Sequence, residues 1–569
     1  MENTDRAFGS DVIVELLRDL GIEYAALNPG ASFRGLHDSL VNVDRAPHII
    51  TCLHEEIAVA VAHGYAKAAR RPMTAMLHDV VGLQHACMAI FNAWCDRVPI
   101  LLLGGTGPVA ADRRRPWIDW IHTALVQGSH IREFTKWDDQ PASLSAAVES
   151  VLRAHRLTTT APGAPVYVCL PVEIQEAEVG DQPPAIPDLT TYGSSRAGPD
   201  PYAITAAAKL LSSARMPVIV ADRAADSQGA IEALSVLARR LHIPLLDKGA
   251  RMNVRTDDPH DLTGGEAELL ARADVLLAVE VQDLTSVVAQ AGERDERLRV
   301  ITISLGDNLV SSWAADYQRL EPVDVRIASD AALALMALAA EVEPPPIKTR
   351  DRRKAAIAEM RGRIRQGWKG EAERRWDETP VSPPRLASEV WAALEGRDWV
   401  LAHGTLNGWA RRLWSWETEG AYLGPAGGGG IGYGPGASIG VALAHRGSER
   451  IIVNLQPDGD LLFAPSALWT MEREQLPILN VIWNNRSYYN SEEHALRIAR
   501  RRERPEERAG IGTRIDSPAV DFAALAKSFG LHAEPTVSDP KALQASLRRA
   551  VEAVGSGQPA LVEVVAASR

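Results

Sequence analysis

The sequence predicts an α/β protein made of three doubly wound parallel-sheet domains. Three observations carry that expectation. Short apolar runs alternate with amphipathic stretches along the whole chain, the pattern of strands buried under helices. Two segments, residues 180–200 and 341–348, are rich in Pro, Gly or Ser, the second containing Pro344-Pro345-Pro346. They cut the 569 residues into three parts of domain size. The expected domains are residues 1–185, 196–342 and 376–569.

The elements follow in order. DVIVELLRDLGIEYAALNPG reads as helix, strand and loop. IITCLHEEIAVAVAHGYAKAA reads as strand then helix; MTAMLHDVVG and ILLLGG are strands on either side of the helical HACMAIFNAWCDRVP. In the middle part the strands are PVIVADR, IPLLDKG, ADVLLAVEVQD and RVITISLG, and a charged helical run, Arg350 to Arg375, leads onward. The last part offers WVLAHG, RIIVNLQPDGD and PILNVIWNN. A faint repeat joins first and last parts. HGYAKAARRPMTAMLHDVVG with NAWCDRVPILLLGG echoes ASIGVALAHRGSERIIVNLQPDGD with LWTMEREQLPILNVIWNN. Two related α/β units suggest a ligand held between them.

Composition narrows the class. Hydrophobic residues make up 46% and charged residues 24%, as in ordinary globular proteins. A net charge of -12 argues against nucleic acid or an acidic membrane surface as a general partner. Arg113-Arg114-Arg115 and Arg500-Arg501-Arg502 read as solvated surface. Four cysteines without a C-x-x-C pair make no disulfide framework. No apolar run reaches the ~18 residues that a membrane helix needs. The acidic, amphipathic MENTDRAFGSDVIVELL does not read as a signal peptide. A cytoplasmic location is therefore expected.

Two strands of the last part end in small, oxygen-bearing residues. The run from Ile451 stops at Pro457-Asp458-Gly459-Asp460, and the run from Ile478 stops at Asn484-Asn485. Ligands of parallel sheets bind beyond the carboxyl ends of the strands. A carboxylate and an amide oxygen there, with a nearby main-chain carbonyl, form a hard oxygen site suited to Mg²⁺, phosphate filling the remaining positions. Gly459 lets the backbone approach that phosphate closely.

These residues resemble the fingerprint of thiamine diphosphate enzymes, a Gly-Asp-Gly followed after one helix by Asn-Asn. Pro457 stands where the first Gly is usual. The resemblance implies that Asp458, the Asn485 side chain and the Ser487 carbonyl hold Mg²⁺, with Gly459, Asp460 and Tyr488 near the cofactor diphosphate. It also implies an activating acid in the first domain, in a pattern like H-E-x-x-A followed by G-Y-A. His54-Glu55-Glu56-Ile57-Ala58 and Gly64-Tyr65-Ala66 match, and Glu55 takes the role of bonding the cofactor's pyrimidine nitrogen. Within the glycine run Gly427 to Gly434, Ile431 matches the apolar wedge that bends the cofactor, and the Gly429 carbonyl would accept from its amino group. His403-Gly404-Thr405 matches the segment that contacts the diphosphate.

Within that superfamily, the chain is similar to acetolactate synthase, benzoylformate decarboxylase and benzaldehyde lyase. Asn28-Pro29-Gly30 matches a decarboxylase loop, with Ala31 in place of its serine and Ser32 one position later. Leu77-His78, Gly82 and Asn92-Ala93-Trp94 match the segment of an active-site histidine, so His78 is expected to shuttle protons. Ser466 to Thr470 matches the helix after the metal Asp. The histidine those decarboxylases carry on the middle domain has no counterpart; Val281-Gln282-Asp283 stands there. His63 and His85 read as structural, although Gln84 or His85 could line the pocket. The arginines of 490–508 read as a solvated helix, with a lid or an anion contact as the alternative.

The implied activity is cleavage or formation of a carbon–carbon bond beside a carbonyl, on a 2-oxo acid, acyloin or aldehyde. A homodimer is the implied minimum and a homotetramer the usual form, with the cofactor between the first domain of one subunit and the third of another. Two alternatives stand beside this. One is a flavin-containing relative, with FAD near Lys248 to Asn253, although no G-x-G-x-x-G follows a strand there. The other is a non-catalytic regulatory homologue, which would lack the acid that Glu55 supplies.

Overall fold

The computed structural model describes residues 7–114, 121–180, 184–291, 298–309 and 320–568. Arg115, and parts of the first linker and of the amino-terminal segment considered above, lie outside them. Three parallel sheets are present, as expected. The first has strands β1 (Tyr24–Leu27), β2 (His48–Thr51), β3 (Met73–Leu77), β4 (Ile100–Thr106), β5 (Asp138–Asp139) and β6 (Val166–Pro171), in the order β2-β1-β3-β4-β6-β5. In the middle sheet, β7 (Pro217–Ala221), β8 (Leu245–Asp247), β9 (Val275–Val279), β10 (Arg299–Ile303) and β11 (Val325–Ile327) run in the order β11-β10-β9-β7-β8. The third contains β12 (Trp399–His403), β13 (Ile451–Pro457), β14 (Ile478–Asn484), β15 (His532–Ala533) and β16 (Ala560–Val565), ordered β12-β13-β14-β16-β15. Every residue of β3, β4, β7, β9 and β14 is buried, which is why these segments read as continuous apolar runs rather than alternating ones.

The order β1-β3-β4-β6-β5 of the first sheet is that of the third, strand for strand. The faint sequence repeat is therefore a repeat of topology. The helix before β3, Glu55–Ala69, and the helix before β13, Tyr433–Ala444, are equivalent elements. Both are rich in Ala, Val and Gly and buried over nearly their whole length, because they pack on each other and on their own sheets. Glycines set the approach. A Cβ on Gly64 would lie 2.0 Å from the Ala437 carbonyl oxygen, and one on Gly440 would lie 1.9 Å from that of Val61. The first and third domains thus meet backbone to backbone.

The middle domain closes a three-way junction behind this helix pair. Asp96, 1% exposed, faces His63 Nε2 at 2.9 Å and Lys67 Nζ at 2.6 Å, and accepts from Arg223 of the middle domain at 2.8 Å. Lys67 also donates to the Pro425 carbonyl of the third domain at 2.9 Å. A buried carboxylate is tolerated only when paired in this way. The segment Lys248 to Asn253 serves the same junction: Met252 N donates to the Tyr422 carbonyl at 3.2 Å, and Gly424 lies flat against Ala250. The charged run after the middle domain forms one 28-residue helix, Ile347–Arg374.

Candidate active site

The metal-binding half is built at the carboxyl ends of β13 and β14. Pro457 pairs in register with Trp483, so the residues that follow each strand emerge side by side. Asp458, 1% exposed, opens a short helical turn. Burial pushes its carboxyl up to about 6, against the opposing pull of the Gly459 and Arg486 amides. Its Oδ1 is buried with no hydrogen-bond partner among the described residues. Asn485 Oδ1 accepts from Ser487 N at 3.0 Å, around a turn in which Arg486 has φ +56°. Ser487 Oγ donates to Glu492 at 2.6 Å, which ties the turn to the helix Tyr489–Arg501. A Cβ on Gly459 would lie 2.5 Å from the Tyr488 ring, so no larger residue fits between ring and turn. Gly404, at φ +79°, lies so close to the Leu455 carbonyl that an added Cβ would sit 1.6 Å from its oxygen. Thr405 Oγ1 accepts from Gly408 N at 3.1 Å.

Asp460 has a job that the sequence did not suggest. One carboxylate oxygen accepts from the Gly432 amide, and the other shares a hydrogen bond with His403 Nε2 at 3.1 Å. Asp460 and His403 thereby hold the end of the glycine run in place.

The acid-bearing half comes from the first domain. Glu55, 3% exposed, starts its helix; His54 caps that helix by accepting from Glu56 N at 3.1 Å. Asn28 Nδ2 donates to Glu55 Oε1 at 3.1 Å, and His85 Nδ1 lies 3.3 Å from Oε2. The His85 ring stacks on His54, centroids 5.1 Å apart. His85 therefore belongs to the setting of Glu55, in line with the pocket-lining alternative rather than a purely structural role. His63, by contrast, lies in the buried junction. Burial, then the nearby Asp460 charge, raises the carboxyl of Glu56 above its ordinary range.

His78 follows β3 and is the N-cap of the helix Asp79–Cys95. Gly30 packs on it; a Cβ there would lie 2.5 Å from His78 Cβ. Ser32 Oγ shares a hydrogen bond with His78 Nδ1 at 2.9 Å and accepts from Asp79 N at 3.2 Å. Ser32, one position after Ala31, is therefore the serine of this loop that meets His78. The His122 ring meets His78 edge-on at 5.2 Å, and ligand atoms of His78, Asp79 and His122 all lie within 4.8 Å of one another. Burial first, and His122 second, push the His78 imidazole below its ordinary value, so it is neutral near pH 7.

The glycine run joins the two halves. Asn92 Nδ2 donates to the Gly430 carbonyl at 3.3 Å, and Gly430 N donates to Asn92 Oδ1 at 3.1 Å. A Cβ on Gly432 would be 3.7 Å from Glu56 Oε1. Gly429 has φ +70°, and Ile431 is 38% exposed beside it. Within the single chain, the helix Asp79–Cys95 of the first domain and the glycine run of the third are thus joined through Asn92 and Gly430. The sequence does not point to His122, to the capping role of His54 or to the clamping role of Asn92. His122 meets His78 from a distant segment that no motif marks; His54 and Asn92 lie in matched motifs, but their contacts with His85 and Gly430 appear only in the fold.

Three family models for thiamine pyrophosphate enzymes match in order: the N-terminal TPP binding domain over residues 8–129, the central domain over 204–338 and the C-terminal TPP binding domain over 402–564. The chain belongs to the thiamine pyrophosphate enzymes. It is similar to a probable acetolactate synthase large subunit from Methanocaldococcus jannaschii, at 24% identity over 98% of this chain and 91% of that one. Benzoylformate decarboxylase from Pseudomonas aeruginosa is 25% identical, with 97% of each chain covered. Among solved structures, a benzoylformate decarboxylase from Polynucleobacter necessarius superposes with a TM-score of 0.79 at 18% identity, covering 99% of both chains. A 4-hydroxybenzoylformate decarboxylase from Rhodococcus jostii gives 0.76 at 21% identity, covering 98% of this chain and 99% of that one. This thiamine pyrophosphate enzyme thus has decarboxylases and acetolactate synthases as relatives. No helix among its described residues is long and apolar enough to cross a membrane.

Proposed function

We propose that this enzyme decarboxylates a 2-oxo acid, with Glu55 as activating acid and His78 as proton carrier. One observation carries the reading: a buried Glu55 lies between Asn28 and His85 on the same domain that positions the Ser32–His78–His122 group. The residues present fit the cofactor. The unpartnered, buried Asp458 Oδ1 with its raised carboxyl suits a divalent cation, whose charge would offset that burial. Asp458, the Asn485 side chain and the Ser487 carbonyl would hold Mg²⁺; Gly459, Gly404 and Thr405 would border the diphosphate; Ile431 and Gly429 would border the rings. When bound, thiamine diphosphate supplies a nucleophilic carbon and an electron sink for the substrate carbonyl.

The chain's own groups do the rest. Glu55 offers a carboxyl oxygen to the cofactor's ring nitrogen, and Asn28 fixes the orientation of that carboxyl. Ser32 engages His78 Nδ1, so Nε2 is the nitrogen that takes a proton from solvent and passes it to the product carbon, returning the ring to its neutral form. Burial favours the neutral His78 ring, which leaves it able to take up a proton. Bond formation to a second carbonyl is the competing outcome. It is favoured by the open apolar rim of Met88, Ile431 and Phe463, which are 38%, 38% and 55% exposed. Exposed apolar groups of this kind also support a homodimer as the minimum assembly and a homotetramer as the working form. The cysteine usage supports a cytoplasmic location.

The test is a panel of 2-oxo acids, each offered with and without an aldehyde, with CO₂ and carbon products followed together. Release of CO₂ with aldehyde as the main product is expected. An acyloin as the main product would assign the enzyme to carboligation, and no CO₂ from any member would overturn the reading. Sedimentation of the cofactor-loaded enzyme tests the assembly; an active monomer would overturn it.

A further inference from the structure

We propose that a second binding site, for an amphiphilic anion, lies between the middle sheet and the helix Ile347–Arg374. A cavity of about 600 Å³ opens there, within the usual range for a small-molecule site. Its walls include Met216, Pro244 and Asp274, each of which immediately precedes a strand of the middle sheet. The cavity is therefore at the amino ends of these strands, whereas the candidate active site uses carboxyl ends of the first and third sheets. The two sites are distinct.

The floor is apolar. Leu262, Leu269, Ile357 and Met360 line it, and they are 1%, 5%, 7% and 8% exposed. The polar lining is mainly cationic. Its carboxylates are largely engaged already: Glu268 is met by Arg363 at 2.7 Å and Arg272 at 3.6 Å, and Asp274 accepts from the Arg215 and Met216 amides at 2.7 and 2.8 Å. Glu359 remains as an exposed acid at the mouth.

Arg353 is the deciding residue. It is 8% exposed; it feels the Asp274 carboxylate of the same wall but makes no ion pair among the described residues. Nη1 donates to the Leu241 carbonyl at 2.9 Å, and Nη2 donates to those of Ala214 and Arg215, so the guanidinium caps the ends of two helices. Its Nε is buried without a partner, as is Nδ1 of His242 beside it in the same wall. Arg352, also in the wall, has no carboxylate partner among the described residues. An unpaired donor on a buried cation above an apolar floor calls for one anionic oxygen carried on an apolar body. The chemical class is a small aryl or branched-alkyl carboxylate, sulfonate or phosphate.

Such a ligand would fix the Ile347–Arg374 helix on the middle domain. That helix reaches the third domain through Arg361, which donates to the Thr256 carbonyl at 2.9 Å, while Thr256 Oγ1 accepts from Trp416 N at 2.7 Å. Fluorescence titration of the cofactor-loaded enzyme with 8-anilinonaphthalene-1-sulfonate tests the site. The wild type is expected to show a saturable component of one probe per chain. Ala356→Trp, on the exposed turn of the helix that faces the cavity, should fill it and weaken that component about tenfold or more. Arg352→Gln should weaken it severalfold while leaving the thermal midpoint unchanged. The absence of a saturable component in the wild type would overturn the proposal. So would an unchanged titration in Ala356→Trp when circular dichroism shows that variant folded.

Discussion

Glu55 is the first residue of a helix, where an acid is ordinarily explained by the positive end of the helix dipole. Its burial and the Asn28 contact give it a further purpose: a solvated dipole partner needs neither. Glu55→Gln should keep the fold and cofactor uptake, because Gln fills the same volume. Turnover should fall by roughly 10²–10⁴, the range for loss of a proton-transfer group. Exchange of the cofactor's reactive proton, followed by NMR, checks the cause; unchanged exchange would remove Glu55 from the role. Asp458→Ala should act differently. It deletes a buried carboxylate whose Oδ1 lacks a protein partner, so the apo fold should survive while Mg²⁺-dependent cofactor affinity is lost. Calorimetric titration with and without the ion separates these outcomes.

At the scale of elements, the crossing of the helices Glu55–Ala69 and Tyr433–Ala444 governs how the two halves of the site meet. Gly440→Ala would force a Cβ within 1.9 Å of the Val61 carbonyl oxygen, and backbone cannot yield as a flexible side chain does. The helices must separate, at a cost of about 1–3 kcal/mol by analogy with overpacked cores. Lowered thermal stability, together with weaker cofactor binding at unchanged Asp458, is the expected signature. An unshifted midpoint would mean that the crossing is more yielding than its geometry indicates. The strands themselves were legible from sequence, because wholly buried parallel strands are written as unbroken apolar runs. The repeat was only faintly legible: equivalent positions share burial and turn placement, and few residue types.

At the scale of the whole molecule, the Asp96 junction ties three domains together. Arg223→Met removes one of the two cations on the buried Asp96 and a tie between domains, so it should lower the thermal midpoint, while Lys67 still pairs with Asp96. The junction also predicts a pH response. Burial and Lys67 push His63 from its ordinary 6.5 down to about 4. Its protonation then favours the unfolded chain, so the neutral ring's contribution is whole above pH 6.5 and is lost as pH falls toward 4. Thermal midpoints measured between pH 7 and pH 5 should drop, and His63→Gln should make the drop shallower. An equal slope in both proteins would show that other groups control it.

The sequence alone determined what local chemistry determines: where apolar runs make buried strands, and that Asp458 and Asn485 end two of them. It also carried the pattern that singles out Glu55, since the pattern and its flanking residues lie within one helix. Only the tertiary structure decided which groups face one another. His85 and His122 are ordinary in sequence and lie beside Glu55 and His78 only in the fold; Asp460 gains a clamp on Gly432; Asn92 acquires Gly430 from the far end of the chain. The physical reason is that hydrogen bonds and burial depend on distance in space, while periodicity and turn chemistry depend on distance along the chain.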